Sequence, residues 1–308
     1  MKKTFYLENL GCAKNQVDAE IMIAALEGAG WGRTDDPEQA GTILVNTCGF
    51  IQPAKEESIN TTLEFVDALP DARVVMTGCL SQRYPEELAA EIPEVAGVFG
   101  NRAPARVVEF LESLAAGGPR VLVPSGGLES HERTHLLSFP GSAYVKVAEG
   151  CDNRCAFCAI PLIRGAARSK PLDAVVREIE TLLARGVREI NLVAQDLASY
   201  GRDLRRAART GTPPGPDTRD LRRATPDTAA PDPTATPEEL LRRISALPGD
   251  FWVRLLYVYP EHFPETFYPI LRDDPRLLPY FDIPFQHAST AVLRRMGRPG
   301  SAESYLAL

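Results

Sequence analysis

The sequence predicts an α/β protein in two parts, an open parallel sheet followed by most of a (βα) barrel. Three observations carry this reading. Short apolar runs alternate with helical periodicity from residue 4 to residue 114, a polar and glycine-containing break follows, and a second alternation of the same kind begins at residue 143. Strands that alternate with helices need crossover connections, which build a parallel sheet. The 308 residues suffice for about two domains, each able to bury its own core.

In the first part, strands are expected at 4–10, 42–47, 73–77 and a short 98–99, with helices at 16–29, 54–68, 85–92 and 103–114. This gives a first domain over 1–116. Gly117-Gly118 and the polar run 124–135 place a linker over 117–138. The second domain, 139–308, has strands expected at 143–148, 189–194, 252–259 and 281–285 and helices at 172–185, 237–246 and 264–271. The helical pattern 302–308 carries no capping signal, so the barrel is expected to lack at least one further βα unit. Segment 201–237 interrupts the pattern, with 7 Pro, 7 Thr, 7 Arg and 5 Asp but only Leu204 and Leu221 as large apolar residues. Such a stretch buries too little surface to offset its conformational entropy, and it reads as a disordered insertion without chemistry.

Composition narrows the function. With 34 Lys and Arg against 41 Asp and Glu, a net charge of −7, and 44% hydrophobic residues, the chain has soluble globular composition. Residues 1–116 hold 9 basic against 18 acidic residues, a net of −9, while the remainder is +2. An acidic first domain is a poor platform for a phosphate backbone. Glu8 and Asn9 end the first apolar run too early for a signal peptide, and no stretch is long enough to span a membrane. Six cysteines without a secretion signal point to the reducing cytoplasm, where spaced cysteines are metal ligands or catalysts before they are disulfides.

The six fall into two sets of three. Cys151, Cys155 and Cys158 lie on one loop, Gly150-Cys151-Asp152-Asn153-Arg154-Cys155-Ala156-Phe157-Cys158, directly after a predicted strand. Three thiolates on a four-iron cluster leave one iron open for chemistry. A zinc ion would need a fourth ligand, which His287 or His262 could supply from another strand end. Cys12, Cys48 and Cys79 are far apart in sequence, yet each follows a predicted strand, and ligands of open parallel sheets bind at the carboxyl ends of strands. Gly11, Gly49 and Gly78 beside them permit tight turns and close backbone approach. A second metal site follows.

The first loop, with aromatic Phe157 before its last cysteine, resembles the cluster loop of the radical S-adenosylmethionine enzymes. Both sets together resemble the methylthiotransferases. The run Leu10-Gly11-Cys12-Ala13-Lys14-Asn15-Gln16-Val17-Asp18 is similar to the RimO-type branch, whereas tRNA-modifying relatives carry a Gly-Cys-Gln-Met-Asn type run there. Further matches are Ala159-Ile160-Pro161, Arg168-Ser169-Lys170-Pro171, Leu192-Val193-Ala194-Gln195-Asp196, Leu255-Leu256-Tyr257-Val258-Tyr259-Pro260 and Asp282-Ile283-Pro284-Phe285-Gln286-His287. The resemblance runs from about Lys3 to Leu308 apart from the insertion, and departs in that insertion and in the lack of the last barrel strands and a C-terminal TRAM domain. It implies a flavodoxin-like parallel-sheet domain followed by a partial (βα) radical-SAM barrel, two 4Fe-4S clusters, and S-adenosylmethionine as both radical source and methyl donor. It further implies ribosomal protein twelve of the small subunit as substrate, modified at the β-carbon of an aspartate, and an external electron donor such as a flavodoxin or ferredoxin. A tRNA methylthiotransferase is the alternative, and a non-catalytic iron–sulfur or zinc module is a second.

Gln195 and Asp196, at the carboxyl end of strand 189–194, are expected to bind the methionine part of S-adenosylmethionine. Arg154, Arg164, Arg168 and Lys170 form a run without acidic residues that could hold its carboxylate or an aspartate substrate. Gln286 and His287 end a predicted strand and are placed at the same mouth. His262, Trp31 and Trp252 read as packing residues, and His131 and His135 as exposed linker.

Overall fold

The structure, a computed structural model, describes residues 3–126, 128, 132–211 and 230–308. Its contacts divide the chain into two units, Met1–Leu137 with Leu162–Arg164, and Ser138–Pro161 with Gly165–Leu308.

The first unit contains β1 (Thr4–Asn9), α1 (Ala13–Gly28), β2 (Gly32–Arg33), β3 (Thr42–Thr47), α2 (Gln52–Ala68), β4 (Arg73–Thr77), α3 (Gly78–Arg83), α4 (Pro85–Glu91), β5 (Gly97–Phe99), α5 (Val107–Ala115) and β6 (Val121–Leu122). All six strands are parallel, in the order β2-β1-β3-β4-β5-β6. This is the flavodoxin-like order with one strand added, and its topology reverses between β1 and β3. Alternate residues sort onto the two faces. Leu44 and Val75 face α1 and α5, packing with Met22, Ile23, Leu26 and Phe110, while Ile43, Val45 and Val74 pack with Phe65, Val66 and Leu69 of α2 and its end. Every residue of β3 is buried, as a central parallel strand covered on both faces requires. Residues 121–122, expected in a linker, instead complete this sheet.

The second unit contains β7 (Ser142–Lys146), β8 (Ala148–Glu149), the short α6 (Ile160–Arg164), whose last three residues group with the first unit, β9 (Arg168–Ser169), α7 (Leu172–Ala184), β10 (Glu189–Val193), α8 (Arg202–Thr210), α9 (Pro237–Ser245), β11 (Trp252–Leu256), α10 (Phe267–Asp273), β12 (Leu277–Phe281), α11 (Thr290–Arg295) and α12 (Ala302–Ala307). Its main sheet is four parallel strands in the order β12-β11-β10-β7, and β8 pairs antiparallel with β9. Residues Ile190, Leu192, Val253 and Leu255 are buried along the two central strands.

Two expectations need correction here. The last strand is Leu277–Phe281 rather than 281–285, because Pro284 has no N–H to donate, whereas Pro279 is tolerated on an edge strand. The segment 201–237 is not disordered throughout. Residues 201–211 form α8 and its caps, burying Leu204 and Ala207 completely or nearly so, with the Asp203 carboxylate accepting the Ser169 N–H at 2.8 Å. Arginine-rich composition hid a helix with one narrow apolar stripe. The part of that expectation covering 212–229 lies outside the described residues, as does the one for His131.

Truncation of a fully buried leucine removes transfer energy and leaves a cavity. Leu204→Ala is therefore expected to destabilise the second unit by about 2–5 kcal/mol in a urea titration. A loss under about 0.5 kcal/mol, the ordinary surface value, would mean that α8 does not pack as described.

Candidate metal centres

The turns after β1, β3 and β4 deliver Cys12, Cys48 and Cys79 to one edge of the first sheet, beside the β1/β3 reversal. The three interact electrostatically, Cys12 acting on both of the others. Backbone sets them there. Gly78 has φ +93°, and a Cβ on it would lie 2.5 Å from the Thr47 carbonyl oxygen, while a Cβ on Gly49 would lie 2.8 Å from the Leu80 Cα. Only glycine permits that approach. Cys48 N–H donates to Ser58 Oγ at 2.9 Å, and the Arg83 guanidinium donates to the Gly49 carbonyl at 2.9 Å.

Cys151, Cys155 and Cys158 share the loop after β8 and also interact with one another. The loop is anchored by Cys151 N–H to the Gly165 carbonyl at 3.1 Å, Ala156 N–H to the Met296 carbonyl at 2.8 Å, and Ala167 N–H to the Asp152 carboxylate at 2.9 Å.

The donor chemistry fits clusters of iron and sulfur. All six thiols are free. Cys48, Cys151 and Cys158 each accept a backbone N–H from the residue two places on, Phe50, Asn153 and Ile160 respectively. Such N–H···S bonds are among the protein's means of tuning an iron–sulfur cluster. Burial pushes Cys79 and Cys151 up to about 11, so a bare thiolate is disfavoured at either position and a bound metal must displace the proton. Among the described residues, no three His, Cys, Asp or Glu converge closely enough to hold a single ion. Each histidine considered as a fourth zinc ligand has a polar partner on its Nδ1. His262 Nδ1 bonds Asp196, and His287 Nδ1 accepts the Ser289 N–H at 2.8 Å.

A cavity of about 60 Å³ in the second unit is lined by Cys151, Asp152, Asn153, Asp196, Ser199 and Asp203 among others. Asp196 is held by three side chains on one oxygen. Oδ2 accepts from Ser199 Oγ at 2.6 Å and Asn153 Nδ2 at 3.0 Å, and lies 2.7 Å from His262 Nδ1. Its Oδ1 is buried without a partner. Burial raises this carboxyl, but hydrogen bonds from His262, Ser199 and Asn153 and the His262 charge outweigh it, and the net effect holds Asp196 below its ordinary value. His262 is thus a polar partner rather than a packing residue. Its ring lies against Tyr259, whose hydroxyl is 3.7 Å from Cys155 Sγ and whose face carries the Arg298 guanidinium at 3.8 Å.

The remaining expected site residues separate. Gln195 is half-buried and Phe157 exposed, and neither lines the cavity. The basic run does not form one patch. Arg154 is exposed, Lys170 is buried in an ion pair with Glu178, and Arg164 donates to Asp18, Asn15 and Cys79 of the first unit. Gln286 and His287 are exposed beyond β12. Trp31 is buried as expected, whereas Trp252 is 54% exposed.

The family described as "Radical SAM superfamily" matches residues 145–308, more than half of the chain. The chain belongs to the radical SAM superfamily. "Uncharacterized protein family UPF0004" matches residues 4–100, the part that carries Cys12, Cys48 and Cys79. The chain is 42% identical over 306 residues to "Ribosomal protein uS12 methylthiotransferase RimO" of Treponema denticola, covering 96% of this chain and 62% of that protein. The protein of the same name from Sorangium cellulosum is 43% identical over 296 residues, covering 94% and 56%. The chain thus spans about three fifths of the length of these relatives. Among solved structures, the radical S-adenosylmethionine methyltransferase TsrM from Kitasatospora setae matches with a TM-score of 0.62 at 14% identity, over 99% of this chain and 66% of that one. The cobalamin-dependent enzyme OxsB matches at 0.58 and 11%, over 98% and 46%. At such identities the likeness concerns the fold alone.

The depressed Asp196 carboxyl has a consequence for acid stability. Its contribution is fully present above its unfolded value of about 3.9 and is lost as pH falls through the lower folded value. On acidification below about pH 4, Asp196→Asn is expected to lose less stability than the parent, although it is less stable at pH 7. Thermal melts of both across that range check this, and parallel acid limbs would refute it.

Proposed function

We propose that this chain acts as a methylthiotransferase of the RimO kind, inserting sulfur and a methyl group at the β-carbon of an aspartate in ribosomal protein uS12, protein twelve of the small subunit. The observation that carries the reading is the pair of separate three-thiol centres, one at the strand ends of the first parallel sheet and one on the single loop after β8. Names of relatives at 42% and 43% identity support the substrate. Cys151, Cys155 and Cys158 hold the radical 4Fe-4S cluster, with one iron left for S-adenosylmethionine, and Cys12, Cys48 and Cys79 hold the auxiliary one. When bound, these groups supply reductive radical chemistry at an unactivated carbon and the sulfur to be inserted.

The protein's own part is to bind, orient and exclude water. Asp196 Oδ1, buried and unpartnered, accepts a donor of S-adenosylmethionine, with Ser199, Asn153 and His262 fixing its other oxygen. Gln195 and Phe157 flank the same strand end and loop. The net charge of −9 on residues 1–116 favours a basic ribosomal protein over polyanionic tRNA. An external one-electron donor such as a flavodoxin or ferredoxin completes the cycle. Among the described residues no helix is long and apolar enough to cross a membrane, and a cytoplasmic setting suits reduced thiols and a ribosomal substrate.

Anaerobic reconstitution is expected to give about eight irons per chain, four for each cluster. Changing Cys151, Cys155 and Cys158 together to Ala should remove half the iron and all cleavage of S-adenosylmethionine. Changing Cys12, Cys48 and Cys79 should remove the other half and leave cleavage intact. Full iron retention in either triple variant refutes that assignment. Mass analysis of uS12 and of tRNA, each incubated with the loaded protein, S-adenosylmethionine and reductant, decides the substrate. Modified tRNA with unmodified uS12 overturns the reading in favour of a tRNA methylthiotransferase.

A further inference from the structure

The sheet register extends the first centre by one strand. Asn46 of β3 pairs with Thr77 of β4, and Thr77 pairs with Phe99 of β5. Two residues beyond these partners stand Cys48, Cys79 and Asn101. The next strand in the order thus delivers an asparagine where its neighbours deliver ligands.

Asn101 is 5% exposed, and its Nδ2 donates to Cys79 Sγ at 3.2 Å. Its Oδ1 is buried without a partner, and its backbone N–H is fixed by Gln82 Oε1 at 3.0 Å. A buried amide normally satisfies its carbonyl oxygen. This one is instead held with its donor toward a sulfur. A second donor meets the same atom, since an Arg164 NH2 group, on a side chain 2% exposed, lies 3.3 Å from Cys79 Sγ while bonding Asn15 Oδ1 at 2.8 Å and Asp18 Oδ2 at 3.0 Å. Asp18 accounts for the burial of Arg164. Among the described residues, no carboxylate or carbonyl oxygen pairs with the Asn101 side-chain amide. A metal-bound thiolate has no hydrogen to give, so only the orientation with Nδ2 toward sulfur suits a ligating Cys79.

We propose that Asn101, together with Arg164, is a positioning residue for the auxiliary cluster, donating hydrogen bonds to the Cys79 thiolate and so raising the cluster's reduction potential. The inference rests on the assignment of that cluster to Cys12, Cys48 and Cys79. Reduction adds negative charge that spreads onto the sulfurs, and donors aimed at a sulfur stabilise the reduced form more than the oxidised one.

The test uses the full chain carrying Cys151→Ala, Cys155→Ala and Cys158→Ala, so that only the first centre is loaded, titrated with dithionite and redox mediators and followed by electron paramagnetic resonance. Asn101→Ala is expected to keep its iron and to lower the reduced-to-oxidised ratio at fixed potential about tenfold, a shift of ~59 mV for one electron. Arg164→Met paired with Asp18→Asn, which leaves no buried charge unpaired, is expected to move the potential in the same direction, and Arg164→Lys to move it less. Full iron with an unmoved potential in Asn101→Ala overturns the inference. If Asn101→Ala fails to load, an unmoved potential in the loaded Arg164→Met/Asp18→Asn variant overturns it. If neither variant loads, resonance Raman of the parent decides, because iron–thiolate bands that do not shift on amide deuteration exclude the N–H···S bonds. Absence of iron from the parent background would instead refute the cluster assignment itself.

Discussion

The Asn15 side chain, wholly buried near the start of α1, meets four partners at once. Its Nδ2 donates to the Leu10 carbonyl at 3.0 Å and the Thr47 carbonyl at 2.9 Å, tying together the exits of β1 and β3, and its Oδ1 accepts from Arg164 and from the Cys79 thiol. Asn46 answers from the neighbouring strand, donating to Asn9 Oδ1 and to the Asn15 carbonyl. These bonds satisfy backbone groups that a parallel sheet leaves open at its edge, and they hold the three cysteine turns in fixed relation. A thiol centre drawn from residues so distant in sequence depends on that lacing. Without it, three loops would each have to be ordered by the cluster alone.

The two centres differ in the charge they offer. Around Cys79 stand the Asn101 amide donor, the Asn15 amide oxygen that accepts the free thiol at 3.0 Å, and a guanidinium neutralised by Asp18. Around Cys151 the cavity is lined by Asp152, Asp196 and Asp203 together with Arg202, so carboxylates outnumber cations there. The same cysteine chemistry is thus set among different neighbours, with a cationic side chain beside Cys79 and carboxylates beside Cys151.

Much of this was legible in the sequence because the decisive elements are strongly patterned. The strands 42–47 and 73–77 are so apolar that their ends, and with them Cys48 and Cys79, were fixed without a structure. The loop carrying Cys151, Cys155 and Cys158 was legible from spacing. What escaped detection lacks periodicity or depends on pairing across the fold. The helix α8 hides its apolar stripe among arginines, β12 carries Pro279 within the strand, and β6 is two residues long. The polar residues were hardest. Nothing local to His262 announces Asp196, 66 residues away, and Asn101 acquires meaning only from the register of β4 and β5. Arg164, six places after Cys158 in sequence, bonds Cys79 instead. Proximity along the chain is a poor guide to which thiol a cation serves.

The glycines at the first centre interlock. A side chain on Gly78 would strike the Thr47 backbone, and one on Gly49 would strike the backbone of Cys79 and Leu80. Each of the two turns therefore occupies the space that the other's missing side chain leaves. A polar residue of the centre can drift in sequence if a neighbour changes with it, since one donor can replace another. These glycines have no such route, because no substitution elsewhere shortens a peptide backbone. The most restricted positions around this thiol centre are therefore two residues with no functional group at all, and a mutational scan ranked by chemistry would overlook them.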